Sequence, residues 1–303
     1  MRKGQSSLDL NVKDDTMGYI IRDLKTYQEM VAVHRLQQEI WGLDNPSLGL
    51  YPPVLNTAAK NGGVVLGVFD EDSEQLVGFL FSFLGRESGG PFKLCSQAMG
   101  LLPEWRGRGI GEALKRVQRE RTLAQDLPLI TWTFDPLEAP NAHLNLHKLR
   151  AISRTYWRDV YGSNFGALNR GLPTDRLVAE WWIKGDHASR VPRENEWNRD
   201  QATPIFEVAG YGLNRRIVRA NLALDDDLLY LDIPADLHPL KAANLELALD
   251  WRQKVRTAFE QYFAQGYLAI DFLSTGQGNE RRNRYLLHKA TPELLAGIGV
   301  EAG

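Results

Sequence analysis

Apolar positions along the chain recur with two periods, and the switches between them lay out a series of elements. Met17 to Arg22 reads as a short strand, and Met30, Val33, Leu36 and Ile40 then fall at the spacing of one helix face, stopped by Asn45-Pro46. A second short helix is expected near Val54 to Ala59. Gly62-Gly63 opens the strand "VVLGVFD", and "SEQLVGFLFSFLG" answers it across the acidic turn "DEDSE", the pattern of an antiparallel hairpin. Leu94 to Leu102 is the next strand, closed by Pro103. From Gly109 the apolar set Ile110, Ala113, Leu114, Val117 and Ala124 makes a helix with a charged outer face. "LPLITWTFDP" is a strand, and "NAHLNLHKLRAI" a helix with Asn141 at its N-cap. "SRTYWRDVYG" and "DRLVAEWWIK" are two further strand candidates. Downstream, "DLLYLDIP" and "GYLAIDFL" flank a helix striped by Ala248, Trp251, Val255 and Phe259, and "RRNRYLLH" adds a last strand.

The polar, aperiodic stretch "GDHASRVPRENEWNRDQATP" separates the two halves of this series. The expected organisation is a loose tail over 1–16, a first domain over 17–185, a linker over 186–198 and a C-terminal α/β segment over 199–303 packed on the first domain. The C-terminal strands are few, and a sheet that small needs a partner face. With 303 residues, 43% hydrophobic and 24% charged, the chain has ordinary globular composition. A net charge of -2 supplies no field towards nucleic acid or an acidic membrane. No apolar h-region follows Arg2 and Lys3, and no apolar run reaches the length of a membrane helix. Cys95 is the only cysteine, which excludes an intrachain disulfide and fits a reducing compartment, so the expected location is the cytoplasm.

Chemistry concentrates in "GLLPEWRGRGIGEALKRV", where a glycine turn joins a strand to a helix. The first N–H groups of a helix lack intrahelical partners and carry its positive dipole end, and glycines let a phosphate reach them. A P-loop would need Lys-Ser/Thr after the last glycine, where Glu112-Ala113 stands. A dinucleotide fingerprint would need glycine at Glu112. The spacing that fits is R-x-x-G-x-G: Arg106, Gly107, Arg108, Gly109, Ile110, Gly111.

That motif, within "LCSQAMGLLPEWRGRGIGEALKRVQ", resembles the acyl-CoA-binding motif of the GNAT superfamily of N-acetyltransferases, in a little-characterised branch. The order of elements from Met17 to Lys184 is similar to that superfamily's as well. The resemblance implies an α+β fold with a mixed, splayed central sheet flanked by helices. It implies that the strand backbone near Met99 to Leu101 pairs with pantetheine, that the N–H of Leu101 or Leu102 bonds the thioester oxygen, and that Gly107 to Gly111 hold the pyrophosphate. Arg106 and Arg108 would add charge, and Asn141 sits at the family's second landmark. The family's usual tyrosine general acid is replaced by Lys148, with Tyr156 and Tyr161 the nearest tyrosines.

The function so implied is an acyl-CoA-dependent N-acyltransferase, with acetyl-CoA or succinyl-CoA as donor and no metal. The acceptor is the amine of a small molecule, an amino acid or related metabolite, attacking directly in a ternary complex. Asp135 and Glu138, at the end of "LITWTFDP", are the candidate bases for the amine proton, and Tyr156 is the candidate acid. The alternative is a module on the same fold that binds CoA or a partner without chemistry; a covalent relay through Cys95 lacks an adjacent base. His143 and His147 have a two-His spacing but no glutamate at Leu144 and no third ligand. The basic run from Arg106 to Arg121 has no interleaved aromatics beyond Trp105, which argues against nucleic acid. Arg150, Arg154 and Arg158 suit a carboxylate or surface ion pairs, and Asp225 to Asp227 a polar turn. A homodimer is left open.

Overall fold

The computed structural model describes residues 12–14, 18–43, 48–86, 89–162, 171–190, 197 and 199–300, and its chain forms two compact units, 1–130 and 131–303. The expected tail over 1–16 and linker over 186–198 lie largely outside the described residues, as does the Asn45-Pro46 stop.

The first unit is an antiparallel sheet covered by helices. Its strands β1 (Val12–Asp14), β2 (Tyr19–Asp23), β3 (Val65–Asp70), β4 (Leu76–Arg86) and β5 (Phe92–Leu101) lie side by side in chain order. Helices α1 (Tyr27–Trp41) and α2 (Pro52–Lys60) intervene between β2 and β3. The four apolar positions read from the sequence as the α1 face are buried, in one core with Leu24, Leu55, Val65, Phe79 and Phe81. Helix α1 starts at a capping box: the Glu29 N–H donates to Thr26 Oγ1 (3.3 Å), and the Thr26 N–H to Glu29 Oε2 (2.8 Å). The β4–β5 pairing runs from Gly78↔Leu101 to Arg86↔Phe92. A Cβ on Gly78 would meet Leu101 Cδ2 at 2.3 Å, so the Leu101 side chain would have to move to admit one. Helix α3 (Ile110–Leu123) follows β5 after a single 3-10 turn, Pro103–Trp105.

Strand β6 (Leu129–Phe134) crosses from the first unit into the second. In the second unit the sheet order is β6, β8 (Arg176–Trp182), β7 (Ile152–Trp157), β13 (Tyr267–Thr275), β14 (Arg282–Lys289), β12 (Leu228–Ile233), β9 (Thr203–Pro204). A separate ribbon pairs β10 (Phe206–Ala209) with β11 (Arg216–Ala220). The helices are α4 (Ala139–Ala142), α5 (Leu237–Ala243), α6 (Leu245–Ala264) and α7 (Pro292–Ile298). Helix α6 buries its expected stripe, Ala248, Trp251, Val255 and Phe259.

The division into units falls at 130/131, not within 186–198. Strand β7 pairs with β13 at Ser153↔Ala269, so residues on both sides of the polar stretch share one sheet. Gly185 lies so close to the Ile298 carbonyl that a Cβ would collide with it.

Candidate functional site

The glycine turn has the backbone that its spacing calls for. Gly107 and Gly109 adopt φ of +76° and +78°, and a Cβ on either would meet nothing within 4 Å. Such a conformation favours glycine, and the open space leaves room for a ligand against the backbone. Gly109 is the residue before α3, where no side chain caps the first turn. The leading N–H groups of α3, which have no intrahelical acceptors, are therefore available to a pyrophosphate. Gly111 faces the Met99 methyl, 3.6 Å from where its Cβ would be. This backbone leaves room for an anionic group against the start of α3.

The flanking side chains are arranged less simply. Arg106 donates from Nε to the Leu101 carbonyl (3.0 Å) and from Nη2 to the Ile40 carbonyl (3.3 Å). It braces the end of β5 against the end of α1, while Arg108 lies over the Trp105 ring, 4.8 Å from its centroid. The Leu102 N–H donates to the Val77 carbonyl at 2.9 Å. Because donors alternate sides along a strand, the Leu101 N–H points away from β4. Of the two oxyanion candidates, Leu101 is thus the one not engaged by β4.

One residue in this region escaped the sequence reading. Lys115 of α3 is buried, 3% exposed, and donates to Ser96 Oγ (2.9 Å) and Gln118 Oε1 (3.2 Å). Desolvation lowers its pKa to about 7. Ser96 is the neighbour of Cys95 on β5, a strand in which successive side chains take opposite faces.

In the second unit, Asp135 follows β6 and is held by arginine. Arg252 of α6, 1% exposed, donates from Nη1 and Nη2 to its two carboxylate oxygens at 2.8 and 2.6 Å. Arg176 stands 3.6 Å away. Burial opposes the charge on Arg252, but Asp135 outweighs it and holds the guanidinium pKa above its ordinary value. Glu138, one turn on, is differently placed: its Oε1 lies 3.0 Å from His238 Nε2. Desolvation raises the Glu138 pKa, against the opposing pull of His238 and with the support of the nearby Asp135 charge. Tyr156, on β7, donates to Asp175 Oδ2 at 2.6 Å, and Arg256 donates to both oxygens of that fully buried carboxylate at 2.8 Å. Desolvation first, and then the Asp175 hydrogen bond, push the Tyr156 pKa up. The structure thus sets Asp135 in an ion pair, leaves Glu138 beside a histidine, and keeps the Tyr156 proton on its hydroxyl, which donates to Asp175. Arg252 and Arg256 were missed, although Arg252 falls one residue after Trp251 inside the apolar stripe of α6.

Asn141 is not an N-cap. The helix begins at Ala139 with Pro140 in its first turn, and Glu138 occupies the cap position without a side-chain bond. Proline's fixed φ favours the first turn, which moves the start ahead of Asn141. Asn141 is exposed within the helix. The chain then widens into a π-helical turn, His143–Lys148, with the Leu149 N–H donating to the Leu144 carbonyl, and stops at Arg150 with φ of +59°. Arg154 and Arg158 therefore lie beyond it, paired with Glu180 (3.0 Å) and Glu260 (2.5 Å). Arg150 is buried against His187, donating to its carbonyl at 3.1 Å. His143 and His147 meet edge to face, 4.8 Å between centroids, and His147 donates to Asp271 at 2.9 Å. Among the described residues no group of three or more His, Cys, Asp or Glu could hold a metal, and no helix is long and apolar enough to cross a membrane. Asp225 pairs with Lys289 at 2.5 Å.

No family model matches the chain, and no curated protein matches it. Solved structures do. The chain is similar in fold to acetyltransferases. One is the ribosomal-protein-S5-alanine acetyltransferase of Vibrio fischeri, at 16% identity over 59% of this chain and 99% of that one, with a TM-score of 0.44. Another is the ribosomal-protein-S18-alanine N-acetyltransferase of Escherichia coli, at 12% identity over 59% and 99%, TM-score 0.43. A third is Arabidopsis thaliana Naa50 in complex with the bisubstrate analogue CoA-Ac-MVNAL, at 14% identity over 54% and 97%, TM-score 0.42. At these values the functional reading rests on the chain's own residues.

Proposed function

We propose that the protein is a GNAT-type N-acyltransferase that moves an acyl group from acetyl-CoA or succinyl-CoA to the amine of a small molecule. The observation that carries this reading is the turn Gly107–Gly111, with two positive-φ glycines, open space beside both, and an uncapped helix behind. In this reading the turn's N–H groups hold the pyrophosphate and the Leu101 N–H bonds the thioester oxygen. Glu138 accepts the amine proton, since its raised pKa makes it a stronger base than an ordinary carboxylate. Asp135 orients the strand end through Arg252 and does not itself take the proton. The thiolate leaves without a tyrosine acid, because a thiol of ordinary pKa near 8.5 is a fair leaving group. Isothermal titration with acetyl-CoA, succinyl-CoA and free CoA tests the binding half. Thiol release against a panel of amino acids tests the chemistry and selects the donor.

A second reading, a CoA-binding module without chemistry, is favoured by one observation: Asp135 and Tyr156 are both closed by buried partners. Tight CoA binding with no thiol release from any donor and amine would select it.

A further inference from the structure

Strands β12 and β14 present two faces. On one, the Tyr285 hydroxyl donates to the Pro136 carbonyl at 2.7 Å, and its ring meets Phe259 of α6 at 5.0 Å. On the other, Tyr230, Asp232, Arg282 and Arg284 line a cavity of about 420 Å³, joined by Arg199 and Phe206. The second face has no part in the acyl-transfer reading.

The charges in this cavity are not paired with each other. Asp232 is 7% exposed, yet among the described residues its carboxylate makes no hydrogen bond and no ion pair. Its register partner across the strands is Arg284. Instead of closing on Asp232, Arg284 lies over the Tyr230 ring, 4.3 Å from the centroid, with its Nε buried and unpartnered. Arg199 gives Nη2 to Asp271 at 2.7 Å, but its Nε is likewise buried without a partner. Arg282, exposed, makes no ion pair among the described residues.

A buried carboxylate without a partner is expensive, by several kcal/mol, and ordinarily closes on the nearest guanidinium. Here buried Asp232 and exposed Asp200 on one side, and Arg199, Arg282 and Arg284 on the other, stand around a shared space. An anion alone would meet Asp232, and a cation alone would meet the arginines. A ligand with both charges satisfies both. Phe206, 3% exposed, with Pro204 and Val208 supplies an apolar wall, and the volume lies in the range of small-molecule sites.

We propose that this cavity binds a free α-amino acid with an apolar side chain. Its ammonium sits on Asp232, its carboxylate on Arg284 and Arg282, and its side chain against Phe206. The site is distinct from the Asp135–Glu138 region and does not depend on acyl-CoA chemistry.

The test is isothermal titration of the full chain, without CoA, using L-phenylalanine and L-leucine. The controls are 3-phenylpropionate, which lacks the ammonium, and phenethylamine, which lacks the carboxylate. At least one amino acid should give saturable heat, with each control weaker by about tenfold or more. D232N and R284M should each weaken amino-acid binding by about tenfold or more. Urea unfolding without ligand should find D232N at least as stable as the parent chain, since it removes an unpaired buried charge. If D232N does not fold, R284M decides. No saturable binding of either amino acid up to about 10 mM overturns the proposal. So does 3-phenylpropionate binding as tightly as L-phenylalanine, which would mark an anion site, or undiminished binding by folded D232N.

Discussion

At the scale of single residues, Gly109 and Glu138 make opposite demands on their surroundings. Gly109 needs its backbone conformation more than it needs space, because its Cβ position is open while its φ is +78°. Gly109→Ala should therefore lower stability by about 1–2 kcal/mol, the cost of a side chain in the left-handed region, and leave CoA affinity largely intact. Gly109→Glu should lose about as much stability and also abolish CoA binding, through a carboxylate set against the pyrophosphate. Urea unfolding and calorimetry on the two variants separate the effects, and CoA affinity retained in Gly109→Glu removes the turn from the cofactor site. Glu138 is set by desolvation, which raises its pKa above the ordinary 4.5. The carboxyl is protonated in both folded and unfolded chains at low pH. As pH rises from the unfolded value through the raised folded one, the fold must carry a charge it disfavours, and stability falls. Glu138→Gln removes that loss, so its stability relative to the parent should be greater at about pH 8 than at about pH 4 in urea unfolding. The contact with His238 opposes desolvation and limits the difference. The same substitution should cut turnover by about 10²–10⁴-fold with CoA affinity unchanged. Turnover at the parent rate would remove Glu138 from the chemistry.

Between elements, two arginines of α6, Arg252 buried and Arg256 half-buried, tie parts of the second unit together. Arg252 ties the end of β6 to the helix, and Arg256 ties the helix to Asp175, which also receives the Tyr156 hydroxyl. Asp135→Asn should cost about 3–5 kcal/mol in urea unfolding, because it leaves a guanidinium buried without a counter-charge. Asp135→Leu combined with Arg252→Met should cost much less, since both charges go together; a double variant as damaged as the single one would show that packing, not charge, holds this joint. Any activity loss in the single variant then reports the joint as well as the site. Met30, Val33, Leu36 and Ile40 were legible as a helix face because apolar periodicity and burial express the same free energy. The turn before α3 was legible because its positive φ strongly favours glycine. The Arg252–Asp135 pair was not legible, because a charge within an apolar stripe declares burial but not its partner 117 residues away. The N-cap at Asn141 failed for a local reason: Pro140 starts the helix earlier and overrides a good capping residue.

For the whole molecule, the position of the division decides what can stand alone. The sequence placed it in the polar stretch at 186–198, whereas the compact units meet at 130/131. Periodicity identifies strands but not their neighbours, and here β7 and β8 are followed in the sheet by β13, more than 80 residues later in the chain. A chain ending at Ser189 would retain every element of the expected first domain. It would also strand the second unit's polar interior. Asp175, fully buried, would lose Arg256; Asp135 would lose Arg252; and the Ser153↔Ala269 pairing would leave β7 as an open edge. Removing one partner of a single buried ion pair already costs about 3–5 kcal/mol, a large share of the 5–15 kcal/mol of a typical domain. The truncated chain should therefore show no single cooperative transition for β6 to β8, and near-ultraviolet circular dichroism should find its Trp181 and Trp182 signals lost. Limited proteolysis should cut it within 131–189 while sparing the first unit. A truncated chain that unfolds cooperatively with those tryptophan signals intact would restore the boundary to the polar stretch, and would show that the arginines of α6 brace a unit already able to fold without them.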